Sequence, residues 1–239
     1  MTTLLSSQPL ARSVRTRRRA LVVAVWVLTA LSGADADRAG VKPGTIVLFD
    51  GKSLDGWKPT DFFRPGEIKV DGGAIVMAAG KPMTGITSTR RDLPTTNYEL
   101  RYEARRLSGD DFFAAATFPV GKSHVTFVNG GWGGNVTGLS SLNGSDASEN
   151  ETNRFLKYTN NTWYRFRIRV TAAVIRGWVD DREVFAVNYE NVEVGTRIET
   201  RSCRPLGFAT WEASGAVRGV EVRPLTTAQV TATGKIDSP

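Results

Sequence analysis

The residues best equipped for chemistry lie between Gly130 and Asn161. Asp146, Glu149, Asn150 and Glu151 crowd together there, followed by Thr152 and Asn153. Carboxylates and amides gathered in one loop can serve as general acid and base. They can also offer oxygen ligands to a hard divalent cation such as calcium, although the spacing matches no calcium-loop pattern and leaves the metal unknown. Trp132 lies just upstream between two glycine pairs, Gly130-Gly131 and Gly133-Gly134, with Phe127 shortly before it. Glycines on both sides free the backbone to present an indole to solvent, where its face can stack on the C–H face of a sugar ring. Trp57 is a second candidate for such stacking, whereas Trp163, Trp178 and Trp211 fit strand patterns and are expected in the core. His124 is the only histidine, and imidazole is the side chain suited to proton transfer near neutral pH. Arg165, Arg167 and Arg169 share one strand face and could grip an anion, although a solvated face explains them more simply. Cys203, the one cysteine, has no activating neighbour.

Composition removes several alternatives. The 239 residues carry 31 lysines and arginines against 24 aspartates and glutamates, a formal charge of +7. Much of that excess comes from Arg12, Arg15, Arg17, Arg18 and Arg19; without the first 36 residues, 26 basic and 23 acidic side chains remain. A nearly balanced chain gives no support for nucleic-acid binding. One histidine and one cysteine exclude a conventional zinc finger and an internal disulfide framework. No Gly-x-Ser-x-Gly elbow or phosphate-binding glycine loop is present.

Residues 1–36 have the three parts of an export signal: basic Arg15 to Arg19, apolar Ala20 to Leu31, and small Ala34 and Ala36. The expected organisation is a signal peptide over 1–36, a linker over 37–44, one domain over 45–225 and a disordered polar tail over 226–239. The expected location is periplasmic or extracellular, with membrane contact only through the export signal.

The elements that must position the candidate residues are strands. Tyr98, Leu100, Tyr102 and Ala104 alternate with Glu99, Arg101, Glu103 and Arg105, and Tyr164 to Val170 repeats the pattern. Val174 to Val179 and Arg182 to Val187 flank Asp180-Asp181 as a hairpin. Further short strands are expected over 45–49, 68–70, 74–77, 112–118, 124–128, 206–211 and 217–223, and 130–161 reads as a long irregular loop. Many short strands with frequent turn signals predict an all-β fold: a two-sheet antiparallel sandwich of jelly-roll, concanavalin A-like or laminin-G-like type.

Leu48-Phe49-Asp50-Gly51-Lys52-Ser53-Leu54-Asp55-Gly56-Trp57 resembles the opening of the 3-keto-disaccharide hydrolase domain family, also known as domain of unknown function 1080. Ile68 to Val76, Tyr98-Glu99-Leu100-Arg101, Trp163-Tyr164-Arg165-Phe166, Asp180-Asp181, Leu206-Gly207-Phe208 and Val220-Glu221-Val222 are similar to its later strands and turns. The resemblance runs from Thr45 to Leu225. The Asn-Ser-Gly and arginine that many members carry in mid-domain are replaced here by Ala115 to Gly121. The resemblance implies a sugar-directed hydrolase acting on 3-keto-disaccharides or related glycosides by base-assisted elimination and hydration. Asp146, Glu149, Glu151 and His124 are then the candidates for acid and base, and Trp132, Asn150, Phe127 and Trp57 for sugar contacts. The alternative is a non-catalytic carbohydrate-binding sandwich, which needs the aromatic platform without a placed acid and base.

Overall fold

A computed structural model describes residues 44–235. The export signal expected over 1–36, and nearly all of the linker, lie outside the described residues. In chain order the first strands are β1 (Ile46–Val47), β2 (Trp57–Pro59), β3 (Ile68–Asp71), β4 (Ala74–Met77), β5 (Met83–Ser88), β6 (Tyr98–Ser108), β7 (Ala115–Val120) and β8 (Ser123–Gly130). After a turn at Gly131–Gly134 come β9 (Val136–Ser140), β10 (Arg154–Phe155), β11 (Tyr164–Val170), β12 (Val174–Val179) and β13 (Arg182–Asn188). A 3-10 helix over Ile198–Cys203 precedes β14 (Gly207–Trp211) and β15 (Ser214–Pro224), and a helix over Thr227–Gly234 closes the described chain. One eight-stranded sheet runs β13-β12-β11-β6-β15-β4-β3, with β1 also on β15; a seven-stranded sheet runs β10-β9-β8-β7-β14-β5-β2. Every pairing is antiparallel, and the two sheets form a β-sandwich.

The alternating pattern sets the facing sides. Tyr98, Leu100, Tyr102 and Ala104 of β6 and Phe166, Ile168 and Val170 of β11 point into the core from one sheet. Phe118, Phe127, Leu139, Phe208 and Ile86 meet them from the other. Phe166 is the aromatic hub: Tyr102 stacks on it at 4.9 Å, and Phe127 meets it edge-on at 5.9 Å.

The opposite face of the eight-stranded sheet is charged. Glu99 is only 2% exposed and is held by Arg101 and by Arg169, whose Nε donates at 2.6 Å. Arg218 pairs with Glu103 at 2.6 Å, and Arg165 with Asp181 at 2.9 Å. Each arginine of the β11 row therefore has a carboxylate partner within the fold, Arg167 the loosest at 3.9 Å from Glu99. Trp178 lies under Arg167 and Arg169, and Trp163 between Arg105 and Arg218, so both cover this outer face rather than filling the space between the sheets. Alternation identifies the two faces of a strand but not which of them an indole can cover.

Other differences have local causes. Strands β2, β5, β9 and β10 fall where no alternation announced them, and β9 and β10 lie inside the segment read as irregular. All six residues of β5 and all five of β9 are buried, and their polar members are only threonine and serine, so no charged face marks these strands in the sequence. The tail expected to be disordered from 226 is instead helical over Thr227–Gly234. Thr226 and Gln229 form a reciprocal capping box, and Arg176 Nε donates to the Thr233 carbonyl at 2.9 Å. The Asp180-Asp181 turn is left-handed at both residues (φ 48° and 67°), which suits a two-residue hairpin. Among the described residues no helix is long and apolar enough to cross a membrane.

Burial pushes the Glu99 carboxyl up, but Arg169 and Arg101 outweigh it and hold it below the ordinary glutamate value. A depressed carboxylate contributes stability that is complete above its unfolded pKa and is lost as pH falls through its folded one. Glu99→Ala is expected to cost about 2 kcal/mol at neutral pH, because it strands arginines that remain partly wet. Urea midpoints of wild type and variant should converge in acid below the usual glutamate range, and a difference independent of pH would contradict this account.

Candidate functional site

The outer face of the seven-stranded sheet is built for close cover. On β8, Val125 and Phe127 enter the core, so Thr126 and Val128 face outward. The 3-10 helix lies on this face: Thr200 Oγ1 is 2.9 Å from Thr126 Oγ1, and Thr87 Oγ1 donates to the Ser202 carbonyl at 3.2 Å. A Cβ on Gly207 would fall 2.7 Å from the Cys203 carbonyl, so a larger residue there would push the segment away. Where this cover stops, a cavity of about 250 Å3 opens, lined by Asp111, Phe112, Thr126, Val128, Trp132, Ser140, Arg197, Glu199, Thr200 and Trp211.

Its aromatic walls come from different elements. Phe112 and Trp211 lie with ring centroids 6.1 Å apart, and the Trp211 amide donates to the Phe112 carbonyl at 3.0 Å. Trp132 is 44% exposed and sits in the left-handed region (φ 49°, ψ 55°). Asp111 secures that turn: one oxygen accepts the Phe112 amide at 2.7 Å and the other the Gly133 amide at 3.2 Å. A Cβ at Gly134 would meet the Asp110 carbonyl at 2.6 Å, so the glycine is required by close approach as well as by its φ of 102°.

The charged wall is an Arg197–Glu199 pair. Arg197 donates to both Glu199 oxygens, Nε at 3.1 Å and Nη2 at 2.9 Å, and its Nη1 donates to Asp146 at 2.7 Å. Its guanidinium also lies 5.7 Å from the Trp132 ring centroid. The hydrogen bond from Arg197 draws the Glu199 carboxyl below the ordinary value against a smaller opposing effect of burial. A bidentate guanidinium fixes a carboxylate's plane and keeps it ionised.

The expected site residues divide accordingly. Trp132 lines the cavity. Asp146 does not, but holds Arg197 from behind and accepts the Ser141 hydroxyl at 3.3 Å. Glu149 and Glu151 are exposed and outside the lining. Asn150 is committed to its loop: Nδ2 donates to the Leu139 and Ser145 carbonyls at 2.7 and 3.1 Å, and Oδ1 accepts the Thr152 amide at 2.9 Å. His124 is outside the lining; burial, then the nearby Arg204, lowers its pKa and favours neutral imidazole. Two sugar-contact expectations are corrected. Phe127 is fully buried against Phe166 and Phe185, and Trp57 is 7% exposed with its Nε1 donating to the Leu48 carbonyl at 2.7 Å. Neither ring can meet a ligand. Trp211, expected in the core, lines the cavity instead.

Asp111, Phe112, Arg197 and Glu199 carried no sequence signal, since they come from two segments far apart in the chain that meet only when the sandwich closes. Among the described residues no three His, Cys, Asp or Glu side chains gather as ligands. Burial pushes the Cys203 thiol up to about 12, which suits an inert core group.

A family model described as a 3-keto-alpha-glucoside-1,2-lyase-like domain matches residues 44–223. No curated protein matches the sequence. A solved structure from work on endo-acting O-glycanases of prominent human gut microbiota is 14% identical, spanning 76% of this chain and 100% of its own, with a TM-score of 0.53. A conserved carbohydrate esterase of the Shiga toxin-encoding bacteriophage phi24B is 12% identical over 77% of this chain and 100% of its own, with a TM-score of 0.50. At such identities these two likenesses show the sandwich fold.

The two tryptophans that sequence placed together should behave oppositely. Trp132→Gly relieves a left-handed side chain and is expected to change stability by no more than about 1 kcal/mol. Trp57→Phe leaves the buried Leu48 carbonyl unpaired and should cost about 1–2 kcal/mol. Denaturant melts of the two variants test the assignment, and equal losses would reject it.

Proposed function

The chain belongs to the 3-keto-alpha-glucoside-1,2-lyase-like domain family, and from that premise we propose that it is a carbohydrate-active enzyme. In this reading it cleaves 3-keto-disaccharides or related 3-keto-glycosides in the cavity between Trp132 and Trp211. One observation carries the reading: a fixed carboxylate, a guanidinium and two indoles face a single cavity.

The chemistry follows from the ketone. A carbonyl at C3 acidifies the C2 proton. Glu199 removes that proton, and the electron pair moves to the C3 oxygen as an enediolate. Three of the five N–H bonds of Arg197 are used by Glu199 and Asp146, so the remaining two are available to hold that oxygen's charge. Collapse restores the C3 carbonyl, forms the C1–C2 double bond and breaks the C1–oxygen bond. Glu199 returns its proton to the departing oxygen. Water then adds across C1–C2, its hydroxyl to C1 and its hydrogen to C2, for net hydrolysis. The indoles of Trp132 and Trp211 take the apolar sugar faces, and Asp111 keeps Trp132 in place.

A second reading, a non-catalytic sugar-binding sandwich, draws on one feature of the same pair: both Glu199 oxygens are already engaged by Arg197. The export-like segment Arg15 to Ala36 supports action outside the cytoplasm, in the periplasm or beyond.

The test is release of monosaccharide from 3-keto-disaccharides, with the unoxidised parents as controls. Glu199→Gln should lower kcat by about 10²–10⁴ with little change in KM. Because Arg197 lowers the Glu199 pKa, the acid limb of the wild-type rate profile should lie below the ordinary glutamate range. Binding of the keto sugars without turnover would transfer the assignment to the binding-module reading.

A further inference from the structure

The cavity is the middle of a longer apolar row. Trp211 of β14 lies directly opposite Met83 of β5, and on its other side its amide meets Phe112. A Cβ on Gly131 would be 3.8 Å from the Phe112 ring, and Gly131 bridges to Val136 of β9. Val136 in turn lies directly opposite Phe155 of β10. The row thus crosses the sheet at one level, perpendicular to the strands. Residues directly opposite each other share a face. Val136 packs with Val128 and Ala147 on the outer side, so Phe155 projects on the same side as the cavity.

Phe155 is 77% exposed, while Val136 is only 5% exposed in its cluster with Ala147. Along the row, Phe155 is therefore the next large apolar group that water reaches after Trp132. It stands two strand spacings from the Gly131 turn, about 10 Å at the usual interstrand distance. An isolated exposed aromatic needs no explanation, but one aligned with an aromatic cavity extends that cavity's chemistry.

We propose that Phe155 is a stacking subsite for a sugar ring beyond those held in the cavity, so that the bound saccharide runs across the strands toward the β10 edge. The proposal rests on the saccharide reading of the cavity and adds a preference for chain length. A flat aromatic offers its face to any pyranose ring, which makes Phe155 a determinant of length and not a catalytic residue.

The experiment compares wild type, Phe155→Ala and Phe155→Trp against a 3-keto methyl glucoside, a 3-keto-disaccharide and a 3-keto-trisaccharide. Turnover is measured with all three. Equilibrium binding of the unoxidised di- and trisaccharide is measured by calorimetry, so that a result does not depend on catalysis. Wild type should favour the trisaccharide over the disaccharide by about fivefold in KM or Kd. Phe155→Ala should erase that preference without changing kcat or the constants for the methyl glucoside, and Phe155→Trp should keep it. Because the side chain is exposed, the melting temperature of Phe155→Ala should match wild type. A wild-type protein indifferent to length, or a preference that survives Phe155→Ala, would overturn the subsite and leave the cavity assignment intact. Failure of wild type to bind or turn over any of the sugars would overturn both. Conversion of a wild-type dimer to a monomer by Phe155→Ala, seen in sedimentation, would reassign the edge to self-association and overturn the proposal.

Discussion

The close contact between the Arg197–Arg204 segment and the seven-stranded sheet is the constraint on which the site depends. A segment can lie flat on a sheet only if the sheet presents small side chains. This one presents Thr87 and Thr126 to it, with Gly207 directly beneath Cys203. The hydroxyls serve a second purpose, because each gives a buried polar group a partner without adding bulk. Once the segment is seated, Arg197 and Glu199 project at the border where cover ends and the cavity begins. A bulkier sheet surface would lift both groups away from Trp132 and Trp211.

The two sheets use charge differently. On the eight-stranded sheet, arginines and carboxylates alternate across neighbouring strands, so that Glu99 and Glu103 each meet a guanidinium from an adjacent strand. This tiling consumes the charges within the fold, and Trp163 and Trp178 lie beneath the guanidiniums as apolar cover. On the seven-stranded sheet a single guanidinium is divided between Asp146 and Glu199 and leaves donors free beside two indoles. Identical side-chain chemistry stabilises one face and equips the other. The difference lies in how many N–H groups the fold leaves unspent and whether an aromatic wall stands next to them.

The loop from Ser141 to Asn153 clarifies how acidic residues can support a site without entering it. Asn150 closes the loop through four hydrogen bonds, Asp146 turns back to hold Arg197, and Ala147 packs on Val128 and Val136. The loop is thus a buttress for the cavity's charged wall. Its exposed carboxylates, Glu149 and Glu151, face water.

Much of the fold was legible in the chain because alternation is a local property. Tyr98 to Arg105 and Tyr164 to Val170 each name their buried and polar faces without reference to a partner, and Asp180-Asp181 marks its own turn. The opening decapeptide placed the family, and the glycines around Trp132 marked a presented indole. Strands buried on both faces, β5 and β9 among them, stayed hidden because their outer cover comes from residues far away in sequence. The site followed the same division. Trp132 was visible from its neighbours, whereas Trp57, Phe127 and Trp211 could be sorted into core and cavity only by knowing what packs on each face. Asp111 stands 22 positions from Gly133, whose amide it accepts, and Arg197 stands 51 positions from Asp146, which anchors it and the Glu199 it holds. Periodicity over a few residues determined the sandwich, and the closing of three distant segments onto one sheet decided where its chemistry lies.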